Sequence, residues 1–160
     1  ILSAAEQTGG TASSTRAFGV GGNAPSQVNT IQFMTISSLG NTADFGDLTV
    51  ARRNGGACSN AVLAVYAGGD TPTNQDVIDS FTMATLGNAV DFGNLSAARD
   101  GIVNGMASPT RGVWAGGYTP TVLNLIEYVQ FASKGDAIDF GDTATARYYN
   151  AACSNGHGGL

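Results

Sequence analysis

Gly40-Asn41-Thr42-Ala43-Asp44-Phe45-Gly46-Asp47-Leu48-Thr49-Val50-Ala51-Arg52 decides how this chain is read, because the stretch returns twice. Its later copies keep Gly87-Asn88, Asp91-Phe92-Gly93 and Ala98-Arg99, then Gly135-Asp136, Asp139-Phe140-Gly141 and Ala146-Arg147. Upstream of each copy stands a double glycine, Gly21-Gly22, Gly68-Gly69 or Gly116-Gly117, recurring at steps of 47 and then 48 residues. A period of this size marks one supersecondary unit copied along the chain, a unit that buries its apolar face only when a neighbour stacks on it. Whatever recurs in every copy is scaffold first, so ligand-bearing residues are sought where the copies differ.

Each unit holds short apolar runs bounded by Gly, Asn, Asp, Ser or Thr, and none has apolar residues at helical spacing over ten positions. The chain is therefore all-β. In the third unit the runs are Gly101 to Ser108, Gly112 to Ala115, Leu125 to Phe131 and Ala137 to Phe140. Four short strands joined by turn residues predict a four-stranded antiparallel sheet. The double glycine ending the second run predicts a crowded exit or positive φ. In the third run Ile126, Tyr128 and Gln130 alternate with Glu127, Val129 and Phe131. Bulk on both faces predicts a sheet packed on each side by other sheets. Gly40-Asn41, Gly87-Asn88 and Gly135-Asp136 supply the tight turn into the fourth run.

Hydrophobic residues make up 42% of the 160 positions, enough for a core, while charged residues make up only 12%. Lys134 is the sole lysine and the net charge is −5, so no basic stripe exists to neutralise a phosphate backbone and nucleic acid is excluded as a partner class. Apolar runs such as Ala61 to Ala67 have strand length, far below the roughly 20 residues of a membrane helix, and no membrane span is expected. Cys58 and Cys153 occupy one repeat position two units apart, out of disulfide reach, and are expected to be small buried thiols.

A double glycine, an aromatic residue in the third strand (Phe33, Phe81 or Tyr128), and then Phe45, Phe92 or Phe140 followed by Ala-Arg resemble the kelch repeat of β-propellers. Phenylalanine stands at 45, 92 and 140 where kelch repeats usually carry tryptophan, and at 33 and 81 where tyrosine is commoner. The string from Gly40 to Arg52, with Arg111 to Pro120, is similar to kelch-like repeat proteins of bacteriophages, especially cyanophages, and of large viruses. The resemblance implies β-propeller blades in an incomplete ring, with a virion or tail-fibre context. One repeat array spans 1–160: blade one 6–51, blade two 52–98, blade three 99–146, and the first strand of a further blade over 147–160. Leu2-Ser3-Ala4-Ala5 aligns with Leu95 to Ala98 as the tail of a preceding unit. Three blades do not close a ring that needs four to eight, so other copies of the repeat, in this chain or a neighbour, are the expected partners.

The recurring motifs point to structure. Asp-Phe-Gly occurs three times with no phosphate loop or catalytic-loop signature around it. Its phenylalanines are expected to lie deeply buried between blades. Asp44, Asp47, Asp91, Asp139 and Asp142 lack the Asp-x-Asp-x-Asp-Gly pattern of a calcium loop, so no metal is assigned to them. Arg52, Arg99 and Arg147 are expected to pair with carboxylates and backbone carbonyls, as are Arg16 and Arg111. His157 is the lone histidine, too few for a zinc or copper site or a serine triad. No catalytic residue, cofactor or metal is assigned, and the chain is not read as an enzyme.

The copies diverge after the double glycine, where they run from Asn23 to Asn29, from Asp70 to Asp76 and from Tyr118 to Asn124. Each is a short polar loop containing one proline. In a propeller this loop shares a face with the connections between blades, which joins Asn23, Gln27, Asp70, Asn74, Tyr118 and Asn124 to Arg53, Asp100 and Tyr148. Neutral hydrogen-bonding groups with a few aromatics suit sugar recognition. The reading is a non-enzymatic structural and binding module on a virion surface or other extracellular appendage, recognising a host-surface glycan or receptor protein. Two rivals stay open: a pure assembly element, and a segment of a propeller enzyme with its catalytic residues outside this chain.

Overall fold

The computed structural model describes residues 5–102 and 105–153. It contains no helix among them, only strands, turns and links. Sheet one is formed by β1 (Gly9–Ala12), β2 (Arg16–Val20), β3 (Thr30–Thr35) and β4 (Ala43–Asp47). Sheet two is β5 (Gly56–Ser59), β6 (Leu63–Ala67), β9 (Val77–Thr82) and β10 (Val90–Asn94), with a two-stranded ribbon of β7 (Asp70–Thr71) and β8 (Thr73–Asn74) inserted after the double glycine. Sheet three repeats this with β11 (Met106–Ala107), β12 (Arg111–Ala115), β15 (Leu125–Gln130) and β16 (Ile138–Asp142), and a ribbon of β13 (Tyr118–Thr119) and β14 (Thr121–Val122). Every pairing is antiparallel between sequential strands, so the three four-stranded sheets share one up-and-down order. The loops expected after the double glycine are thus partly strand, with Pro72 and Pro120 at the ribbon turns. Among the described residues no helix is long and apolar enough to cross a membrane.

The sheets stack face to face, and two cores lie between them. Phe18, Val20, Ile31 and Phe45 of sheet one meet Ala57, Ala64, Tyr66 and Phe81 of sheet two. On the other side of sheet two, Val65, Ala67, Ile78 and Phe92 meet Trp114, Val129 and Phe131 of sheet three. Period-two alternation explains this: Ala64 and Tyr66 point one way along β6, Val65 and Ala67 the other. Sheet two is therefore buried on both faces. Sheet three is buried on one, with Glu127, Val129 and Phe131 inward and Gln130 exposed.

The double glycines satisfy both expectations. Gly21, Gly68 and Gly116 have φ of 60°, 63° and 72°. A Cβ on Gly21 or Gly68 would lie 2.5 or 2.7 Å from the carbonyl oxygen of Arg52 or Arg99. The following N–H groups of Gly22, Gly69 and Gly117 donate to the carbonyls of Arg52, Arg99 and Arg147, each at 2.9 Å.

Four expectations need correction. Phe45 and Phe92 are 3% exposed, but Phe140 is 58% exposed, because the fourth-strand phenylalanine is covered by the following sheet and the described residues after β16 form no further sheet. The third-strand aromatics do not share a position: register pairs Phe33 with Phe18, Ser80 with Val65 and Tyr128 with Val113, so Ser80 is the counterpart of Phe33 and Tyr128. Phe81 lies one residue on, facing Phe45 across the core with ring centroids 5.2 Å apart. Both cysteines are free thiols, yet only Cys58 is buried, and Cys153 is exposed. Burial pushes the Cys58 thiol up to about 12. Finally, residues 147–153 form no strand. Residues 154–160 with His157, residues 103–104 in the run from Gly101, and Leu2 to Ala4 lie outside the described residues.

Candidate functional site

The residue after Ala5, Arg52 or Arg99 is bridged to the residue after the next double glycine. Isolated bridges join Glu6 to Asn23, Arg53 to Asp70 and Asp100 to Tyr118. In the first unit Asn23 also bridges Gln27, closing a turn around Pro25, and its amide nitrogen sits 3.4 Å from Glu6 Oε1. In the second, Arg53 Nε donates to Asp70 Oδ2 at 3.1 Å and Asn54 Nδ2 donates to Asp70 Oδ1 at 3.0 Å. That pairing occupies Asp70, whose side chain is mostly buried, and leaves little of it for a ligand. The third unit is built differently.

There the partner of the bridge is an aromatic. Tyr118 is 41% exposed and its ring centroid lies 6.0 Å from that of Tyr148, which lies 5.0 Å from Tyr149. The three rings, Asp100 and Val122 line an open depression of about 370 Å³. Asn74 reaches over from the ribbon of sheet two and donates to the Tyr118 carbonyl at 2.8 Å, steadying the ribbon that carries the ring. Asp100 Oδ1 is buried without a hydrogen-bond partner among the described residues, an arrangement that costs free energy until a donor arrives. Burial first, and then the neighbouring Asp70 charge, hold the Asp100 carboxyl above its ordinary value. Burial and the charges of Asp100 and Asp70 raise the Tyr149 hydroxyl above its ordinary value.

Of the residues singled out from sequence, Arg53, Asp70, Asn74, Tyr118 and Tyr148 come together, while Asn23 and Gln27 form the separate first-unit counterpart. Asn124 stands apart: its carbonyl accepts from the Thr143 backbone and hydroxyl, tying the start of β15 to the end of β16. Tyr149 and Val122 were missed. Tyr149 carries a sequence signal all the same, since its counterparts are Gln7, Asn54 and Gly101, and all four positions have φ between 54° and 67°. A bulky aromatic in a left-handed turn is costly, and such positions gather at binding sites.

Elsewhere the arginines are structural. Arg52 Nη1 donates to Asp79 at 2.9 Å, Thr49 donates to the same carboxylate twice, and the Arg52–Asp79 pair is fully buried. Arg99 and Glu127 form a second buried pair 2.6 Å apart, close but poorly aligned for a hydrogen bond. Arg147, in contrast, is exposed. Arg16 lies over its own sheet's Phe33 ring at 4.9 Å and its Nη1 donates to the Met83 and Ala84 carbonyls just past β9, while Arg111 lies over its own sheet's Tyr128 ring at 4.8 Å. Among the described residues no three His, Cys, Asp or Glu side chains stand close enough to hold a metal ion. No protein-family model matches the chain, and no curated protein matches it.

Proposed function

We propose that the chain is a non-enzymatic structural and binding module, a set of kelch-like β-propeller blades carried on a virion or other extracellular appendage, whose loop face recognises a surface glycan. The observation that carries the reading is the cluster of Tyr118, Tyr148 and Tyr149 beside Asp100, half-exposed rings on a ribbon and the adjoining turn next to an unpartnered carboxylate oxygen. Tyrosine rings offer flat apolar faces to the C–H face of a pyranose and hydroxyls to its polar edge. A sugar hydroxyl donating to Asp100 would offset the cost of the unpaired oxygen. With two acids nearby, the site suits neutral sugars over sialylated ones. A glycan-array screen, followed by ligand-observed NMR on the positives, tests the proposal. Binding of neutral glycans that Tyr118→Ala weakens at least about tenfold, with an unchanged melting temperature, is expected of an exposed aromatic anchor. Absence of any glycan binding, or binding indifferent to Tyr118 and Tyr148, would refute it.

A further inference from the structure

We infer that the outer face of sheet three is a docking surface for a fourth sheet of the same repeat. That sheet carries Asp or Glu at the third position of its third strand and a Gly-Asn or Gly-Asp turn ahead of its fourth.

The warrant is that the molecule makes this interface twice. At the first, the Gly87 N–H donates to the Phe45 carbonyl at 2.9 Å, the Ala89 N–H to the Asp47 carbonyl at 2.8 Å, and the Asp47 N–H to Asn88 Oδ1 at 3.0 Å. At the second, Gly135 donates to Phe92 at 2.9 Å, Ala137 to Asn94 at 2.8 Å, and Asn94 to Asp136 Oδ1 at 2.9 Å. Each junction buries the phenylalanine of the earlier sheet and seals a buried ion pair, Arg52 with Asp79 or Arg99 with Glu127. Both acids are the third residue of their strands. Sheet three presents the giving half of the same junction: Phe140 exposed, Gly141 with nothing within 4 Å of its Cβ position, and Arg111 and Arg147 turned to solvent. The Arg147 backbone is already held as in the other units, its carbonyl accepting from Gly117 at 2.9 Å. Its side chain is exposed.

A second copy of this chain, docking through sheet one, is the obvious occupant and fits poorly. The receiving face of sheet one has Gln32 at the acid's position and Gly19 where sheets two and three place Tyr66 and Trp114. The bridges that pair Glu6 with Asn23, Arg53 with Asp70 and Asp100 with Tyr118 shift the link into sheet one by one residue from its sequence alignment with Leu95 to Ala98, so that Ala5 stands where the other links have Arg52 and Arg99. Arginine and acid are thus absent together from that unit. Docked there, Arg147 would be buried against a neutral amide, a costly unpaired charge. The face therefore selects an acid-bearing unit.

The test compares the 160-residue chain with one in which a second copy of residues 100–147 follows Arg147. In the first, the Asp142 amide should exchange with solvent at least about tenfold faster than those of Asp47 and Asn94. In the extended chain it should slow into their range, and Phe140→Ala, nearly silent in the shorter chain, should lower the melting temperature by roughly 10 °C. Glu127→Gln in the added copy alone should abolish most of that protection. Equal effects of Phe140→Ala in both chains overturn the proposal, as does an Asp142 amide already as slow as Asp47 in the 160-residue monomer. Should that chain sediment as a dimer that Phe140→Asp dissociates, the face belongs to a second copy and the acid-bearing partner is ruled out.

Discussion

Phe45, Phe92 and Phe140 hold one repeat position in two environments, which makes them an internal measurement of what neighbour burial is worth. Phe45 touches Phe18 and Phe33 of its own sheet and Phe81 of the next, at centroid distances of 5.3, 5.9 and 5.2 Å, while Phe140 has only Tyr128 at 5.9 Å. Phe45→Ala or Phe92→Ala should cost about 3–5 kcal/mol, because the cavity cannot collapse between two sheets, and Phe140→Ala about 1 kcal/mol or less. Urea titrations of the three variants check this. Asp100 gives a second residue-scale prediction. Its folded-state affinity for the proton exceeds that of the unfolded chain, so the ionised form opposes folding at neutral pH and the penalty disappears as pH falls through the raised value toward the ordinary 3.8. Asp100→Asn should therefore melt above the parent at pH 7, with the gap closing as pH approaches 4. A gap that widens on acidification would contradict the assignment.

At the scale of the element, the fourth strand is where one sheet hands over to the next, and its glycine is the sensitive point. Gly46, Gly93 and Gly141 all lie at φ between 135° and 153°, so alanine meets similar backbone strain at each. A Cβ on Gly46 would collide with the Gly87 carbonyl and one on Gly93 with that of Gly135, whereas Gly141 has open space. Gly46→Ala and Gly93→Ala should each destabilise more than Gly141→Ala by about 1–3 kcal/mol, the cost of overpacking, and thermal melts of the three variants separate contact from strain. Strands, turns and the glycine exits were legible because each is a local device: alternation, Gly-Asn pairs, double glycines. Register was not. The aromatic of the third strand slides by one residue in the second unit, where Ser80 takes the position of Phe33 and Phe81 turns to the opposite face, and only pairing against β6 reveals it. The candidate site was legible as a shared loop position that brings Tyr118 beside Tyr148. Tyr149 was hidden because its distinction lies in a backbone angle, signalled only by Gln7, Asn54 and Gly101 at the equivalent turns.

Across the whole molecule, burial follows position in the stack and not sequence similarity. The equivalent strands β3, β9 and β15 have nearly the same alternation, yet only β9 is buried on both faces, since among the described residues sheet two alone has a sheet on each side. In such a one-dimensional array each sheet is stabilised by its own pairing plus the interfaces it shares, so the middle sheet has two interface terms and the outer sheets one each. The outer sheets should then open locally while sheet two opens only with the whole chain. Native-state hydrogen exchange checks this residue by residue. The amides of Val65, Tyr66 and Ile78 should exchange slowest, at the rate of global unfolding. Those of β3 and β15 should exchange faster, and those at the uncovered edge of β16 fastest among the fourth strands. Added denaturant should steepen exchange in sheet two more than in sheets one and three, because global opening exposes more surface than local opening. Uniform protection across all three sheets would mean that the interfaces are strong enough to make the stack a single cooperative unit, and the nearest-neighbour account would fail.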